Sequence, residues 1–228
     1  MPRLLAVDTS TEACSVALLD GERVIERFFE APREHVQRLL PMVDELLVGN
    51  NIALRDIDAI AFGRGPGSFT GLRICLGVVQ GLAFGANLPV IPVSTLAALA
   101  QSAIEDNGIA RGDHVLSAID ARMDEIYCGW FRVGDDGLVI AINEEQVCAP
   151  ELLPVLDVAG VTSHGVGSGM RYVARMPPLS LANTNPAQLP HAAAIAALAL
   201  PLLLKGGYVS ADDAQPVYLR NDVAWAKP

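Results

Sequence analysis

Residues 62–87 read FGRGPGSFTGLRICLGVVQGLAFGAN. A glycine-proline loop here runs straight into a helix with almost no polar side. Gly63, Gly65, Pro66 and Gly67 set a tight turn, because Gly admits backbone angles that side chains forbid and Pro fixes its own. Ser68 falls where a helix N-cap belongs, its hydroxyl placed to accept from the first unpaired amides. On a wheel of about 100° per residue, Leu72, Cys75, Leu76, Val78, Val79, Leu82, Ala83 and Ala86 cover more than a third of the circumference. Ile74 and Phe84 flank a row of Gly77, Gly81 and Gly85, spaced four apart, and only Arg73 and Gln80 give a polar edge. Each interior Gly costs about 1 kcal/mol relative to Ala, so three in one stripe call for a close contact.

A helix apolar nearly all round is buried on more than one side. One side suits a sheet; the other suits a second helix, of this chain or of another subunit. Segment 34–49 is a second apolar helix, with Val36, Leu39, Leu40, Val43, Leu46 and Leu47 at helical spacing and a kink expected at Pro41.

Working outward, Leu4–Asp8, Cys14–Leu19 and Arg23–Glu30 read as strands, the last two joined across Asp20-Gly21. Asp58–Phe62 and Leu88–Val93 are further strands, and Ser94 caps a helix over Thr95–Glu105. This order predicts a mixed five-stranded sheet flanked by helices, since parallel strands need helical crossovers. The pattern then restarts in shorter form. Val115–Ile119 leads to Asp120 as Leu4–Val7 leads to Asp8; Ile126–Val133 and Leu138–Val147 follow as strands; Val161–His164 precedes GVGSG as a strand precedes GRGPG. The echo divides the chain into lobes over 1–106 and 107–228, with a late helix over 190–205 that packs back on the first lobe, broken or kinked at Pro201. Pro216–Arg220 reads as an edge strand.

The chain has 228 residues, 51% apolar and 18% charged, enough for a sizeable core in one domain or two lobes. Its formal charge of −10 opposes autonomous binding to nucleic acid, which draws its affinity from Lys and Arg. Cys14, Cys75, Cys128 and Cys148 form no CxxC pair, which fits a reducing cytoplasm and not a zinc site. The N-terminus enters a strand pattern at once, and the run Ala192–Leu204 is too short to span a bilayer, so a soluble chain without a membrane partner is expected.

Catalytic signals are sparse. Asp8, Thr9 and Ser10 end the first strand in a polar hairpin that could touch phosphate or magnesium, though a structural turn fits equally well. GRGPGSFTG lacks the GK[ST] of a Walker A loop; its helix N-terminus could still attract an anion. His35, His114, His164 and His191 lie in unlike contexts with no metal-ligand spacing. Asp120, Asp124 and Glu125 surround Arg122 in one hairpin, an acid–base group or a self-neutralising turn. The result is a nucleotide-kinase-like skeleton with no evident catalytic or metal residue.

Across LAVDTSTEACSVAL (5–18), HVQRLLPMVDELL (35–47), AFGRGPGSFTGLRICLGVVQGLAFG (61–85), PVIPVSTLAALA (89–100), AIDARMDEIYCGWF (118–131) and PVYLR (216–220), the chain resembles the TsaB (YeaZ) family of bacterial tRNA threonylcarbamoyladenosine modification. The resemblance implies a two-lobed actin-like, ribonuclease-H-like α/β fold and an accessory role. The catalytic paralogue TsaD would transfer threonylcarbamoyl from threonylcarbamoyl-AMP to N6 of adenosine 37, with the ATPase TsaE completing the assembly. Two His that hold metal in TsaD correspond to Thr95 and Leu99 here, neither a ligand. The resemblance further implies pairing with TsaD, and self-pairing when alone, through the first lobe's two helices. The expected interface is Leu39, Val43, Leu72, Ile74, Gly77, Val78, Gly81 and Gly85. tRNA would be met only through the complex, and the chain would need no cofactor, ATP or ADP belonging at most to the subunit junction. An autonomous small-molecule phosphotransferase and a metallopeptidase are the competing readings.

Overall fold

A computed structural model describes residues 2–30, 33–156 and 160–220. β1 (Arg3–Asp8), β2 (Ala13–Asp20) and β3 (Arg23–Glu30) form an antiparallel meander. The helix α1 (His35–Gly49) follows, then β4 (Ala59–Gly63), α2 (Phe69–Ala86), β5 (Val90–Val93) and α3 (Thr95–Asp106). β4 and β5 join in parallel beside β1, giving the order β3-β2-β1-β4-β5. Because β1 is central, it is apolar on both faces. Leu5 and Val7, with Val16 and Leu18 of β2, meet Leu39, Leu46, Cys75 and Val79 of α1 and α2.

The opposite face carries Leu4, Ala6, Ala17, Ala61 and Ile91, covered by Ala98 of α3 and by a helix from late in the chain. The second sheet comes between: β6 (His114–Arg122), β7 (Glu125–Val133), β8 (Val139–Ala141), β9 (Gln146–Cys148), β10 (Ser163–Val166) and β11 (Asn183–Asn185). Its order is β11-β10-β6-β7-β8, with β9 also on β7. The late helix is α4 (Ala192–Leu204), whose Ala192, Ile195, Ala196 and Ala199 lie on the first sheet.

The internal echo is visible in the pairing. β6 is antiparallel to β7 and parallel to β10, as β1 is antiparallel to β2 and parallel to β4. After β10 a 3-10 helix, Ser168–Arg175, stands where α2 stands after β4. Both Gly-rich loops press on the strand beside them: a Cβ on Gly169 would fall 2.7 Å from the Ala118 Cβ.

Three expectations need correction. The single strand over 138–147 is two short ones, because the Asn143 side chain replaces backbone in the pairing with β7. The Ile142 amide donates to the Trp130 carbonyl, and the Asn143 side chain accepts the Trp130 amide, each at 2.8 Å. Pro216–Arg220 is extended but in no sheet; its Val217 amide donates to the Arg64 carbonyl at 2.7 Å, and Arg220 pairs with Glu125 of β7. Pro201 does not interrupt α4, which is assigned through it to Leu204. Pro41 likewise lies inside α1. Of the helices described, α2 is long and apolar enough by length and composition to cross a bilayer. It is held on the first sheet by buried Leu72, Cys75, Val79 and Ala83.

Candidate partner-docking face

Two glycine rows meet at the start of α2, and they differ in what lies beside them. The first is Gly63, Gly67 and Gly71. A Cβ added at these positions would run into the Asp8 carboxylate, the Ser10 carbonyl and the Thr9 carbonyl respectively. The loop after β4 and the first turn of α2 therefore press backbone to backbone on the turn after β1, where only Gly fits. Ser68 closes the contact: its amide donates to the Ser10 carbonyl at 2.7 Å and its Oγ accepts from the Gly71 amide at 3.3 Å. The N-cap expected at Ser68 is in place.

This contact seals the polar hairpin. Asp8, Thr9 and Ser10 are at most 1% exposed. The Thr9 hydroxyl donates to the Gly71 carbonyl at 2.8 Å, and the Asp8 Oδ2 accepts from the Ser10 hydroxyl at 2.9 Å and amide at 3.2 Å. Burial pushes the Asp8 carboxyl up to about 7, the Ser10 hydrogen bonds opposing it, and Asp8 Oδ1 has no hydrogen-bond partner among the described residues. The side chains of Asp8, Thr9 and Ser10, the residues that could touch a cofactor, face the protein's own loop. The α2 N-terminus is engaged with Ser10 in the same way.

Thr95 and Leu99 are also committed internally. The Thr95 Oγ1 accepts from the Gly65 amide at 3.2 Å, its own amide donates to the Gly65 carbonyl at 3.0 Å, and Leu99 is buried beneath the second sheet. Among the described residues no group of three His, Cys, Asp or Glu is placed to hold a metal ion. The four His have separate surroundings. His35 bonds the Ala13 carbonyl, His164 lies between Asp113 and Asn183, and His191 pairs with Glu26 at 2.8 Å and stacks on Phe28. Burial lowers the His114 pKa. Around β6–β7, Asp120 sits between Arg122 at 3.4 Å and Arg171 at 3.0 Å, a neutralised turn whose Arg122, Met123 and Asp124 have positive φ.

The second row, Gly77, Gly81 and Gly85, looks the other way. Among the described residues, a Cβ at any of the three would meet nothing within 4 Å. The row points away from the sheet, with Ile74 and Val78 half-buried beside it and Phe84 76% exposed. On the neighbouring α1, Val36 is 69% exposed, Val48 66% and Leu40 49%. At the N-terminal end of α2 the Arg73 guanidinium lies 3.9 Å above the Phe69 ring, with Tyr218 beside both. The result is an apolar two-helix face with a backbone-deep groove along α2.

Three expected interface residues do not belong to that face. Leu39, Val43 and Leu72 are in the first lobe's core, where their stripe meets β1 and β2. The exposed apolar positions of α1 are one step round the helix. Val36 and Leu40 were in the apolar pattern; Val48 and the Phe69–Arg73–Tyr218 cluster had no sequence signal beyond being apolar or aromatic outside the core stripe.

Two mixed sheets, each an antiparallel hairpin with a parallel strand beside it, make this an α/β protein of the actin-like, ribonuclease-H-like class. The family model of TsaD, tRNA N6-adenosine threonylcarbamoyltransferase, matches residues 29–164. A solved structure described as YeaZ from Pseudomonas aeruginosa superposes with a TM-score of 0.91 at 48% identity, covering 96% of this chain and 100% of that one. Another with the same values is described as an uncharacterized protein similar to peptidase YEAZ. The tRNA threonylcarbamoyladenosine biosynthesis protein TsaB of Escherichia coli is 44% identical over 99% of this chain and 97% of its own length. That of Haemophilus influenzae is 44% identical over 98% and 96%. The chain belongs to the TsaB family, and its relatives serve tRNA threonylcarbamoyladenosine biosynthesis.

Proposed function

We propose that this chain is a non-catalytic subunit of the enzyme that makes threonylcarbamoyladenosine at position 37 of tRNA. It docks a TsaD-type catalytic subunit through the α1–α2 face, with a TsaE-type ATPase completing the assembly, in the cytoplasm. Alone, it pairs with a second copy through the same face. One observation carries the reading. Gly77, Gly81 and Gly85 cost α2 roughly 3 kcal/mol of helix propensity, at about 1 kcal/mol each. Gly63, Gly67 and Gly71 are each explained by a contact inside the chain; among the described residues, these three are not. The gain that offsets them belongs to a helix from another molecule lying close along the row.

Asp8, Thr9, Ser10 and Thr95 carry the groups a phosphate or metal would need; the Thr9 hydroxyl holds α2, the Thr95 hydroxyl holds the loop before it, and Asp8 and Ser10 bond each other inside the buried hairpin. With a charge of −10 the chain meets tRNA through its partner. In that role it needs no cofactor of its own; ATP or ADP would sit at the junction between subunits.

Reconstitution tests this. With tRNA, threonylcarbamoyl-AMP and this chain alone, no modified adenosine is expected; adding TsaD and TsaE from the same organism should produce it. Product from this chain alone would refute the reading, as would full activity of TsaD and TsaE without it.

A further inference from the structure

The second lobe holds two thiols side by side. Cys128 on β7 and Cys148 on β9 have sulfurs 3.8 Å apart, across a strand pair in which Cys128 faces Gln146 and Ile126 faces Cys148. The two are diagonal neighbours on one face of the sheet, where side chains meet. Cys128 is buried against Trp130 and Leu153, whereas Cys148 is half-exposed on a three-residue edge strand. The Gln146 side-chain amide donates to the Cys148 sulfur at 3.7 Å. We propose that Cys128 and Cys148 form a peroxide-responsive thiol pair, with Cys148 attacking and Cys128 resolving to give an intrachain disulfide.

The other cysteines set the contrast. Cys14 lies against the Met42 sulfur and Cys75 against the Val7 carbonyl, both buried, and burial pushes the Cys14 thiol up to about 11 and the Cys75 thiol well above its usual range. The Cys128 thiol, hydrogen-bonded to Cys148, lowers the Cys148 pKa, so the less buried sulfur is also the one more readily ionised. A disulfide needs the sulfurs at about 2.05 Å, so closing the 3.8 Å between these diagonal neighbours requires the three-residue edge strand β9 to shift toward β7.

The oxidant is hydrogen peroxide. Cys148 gives its proton to solvent, and its thiolate attacks one peroxide oxygen. The O–O bond breaks, and hydroxide leaves and is protonated to water, so that Cys148 becomes a sulfenic acid. The Cys128 sulfur then attacks the Cys148 sulfur; the S–S bond forms, the S–O bond breaks, and a second water leaves with the Cys128 proton. Two thiols lose two electrons in all, which the peroxide takes up.

The test treats the full, reduced chain with one equivalent of hydrogen peroxide, alkylates the remaining thiols in acid, and maps peptides without reduction. Two of the four thiols should disappear, with Cys128 and Cys148 linked within one chain and Cys14 and Cys75 alkylated. The variant C128A should hold Cys148 as a sulfenic acid captured by dimedone, and C148A should lose at least about tenfold in peroxide reactivity. The wild-type map stands whether or not either variant folds. The proposal is overturned if Cys148 reacts no faster than Cys14. It is also overturned if Cys148 passes to sulfinic acid without linking to Cys128, or if the link joins two chains.

Discussion

The Thr9 hydroxyl and the Gly71 carbonyl are 2.8 Å apart across 62 positions of sequence, and this bond fastens the first turn of α2 to the end of β1. A Cβ on Gly71 would collide with the Thr9 carbonyl beside it. Gly71→Ala should therefore cost about 2–3 kcal/mol, an overpacking penalty with no flexible side chain to yield. Urea unfolding measures it; a variant as stable as the parent would mean that this approach is looser than described.

The outward row should respond in the opposite direction. Gly77→Ala and Gly81→Ala meet nothing within 4 Å, so each should stabilise the isolated chain by about 1 kcal/mol. For a chain of this length the double variant should melt roughly 4–8 °C higher. Loss of stability would show that an internal neighbour approaches the row.

His191 predicts a dependence on pH. The Glu26 hydrogen bond raises its pKa above the usual value against the opposing effect of burial, and Glu26 also accepts the Ala193 amide at the start of α4. A raised folded pKa means that this contribution is complete below the unfolded value of 6.5 and is lost as pH rises through the folded value. Denaturant midpoints for the parent should fall across that window, and His191→Asn should flatten the fall. Identical slopes would count against the pair.

Asp8 acts in the same direction at lower pH. Its carboxyl, raised by burial from 3.8 to about 7, stays protonated in the folded chain while the unfolded chain releases the proton. Its contribution is complete below the lower value and lost as pH rises toward the upper one. The carboxyl carbon resonance of Asp8 should titrate near neutrality; a midpoint near 4 would place water or a charge beside Asp8 Oδ1.

Much of this was legible in order and little of it in direction. The strands around Asp8 and Asp120 follow from alternation and turn signals, and Ser68 and Ser94 cap the helices expected of them. The α2 wheel is apolar nearly all round, so it could not say that Leu72 faces β1 while Gly81 faces outward. Leu39 and Val43 were grouped with Leu40 because all are apolar at helical spacing; the sheet separates them. The hairpin at Asp8 reads as available in one dimension because what seals it, Gly71, is distant in sequence. Asn143 shows the same limit, its amide side chain ending a strand through a bond to Trp130.

Docking along the outward glycine row is tested most directly by titration calorimetry of this chain with TsaD from the same organism. A Cβ on Gly81 would meet nothing within 4 Å among the described residues, so the variant Gly81→Leu should melt no lower than the parent when the two are compared as monomers. It should bind TsaD at least about tenfold more weakly, because the leucine overfills a close helix contact. Equal affinity in a normally folded Gly81→Leu chain, or no binding by the parent, would contradict it.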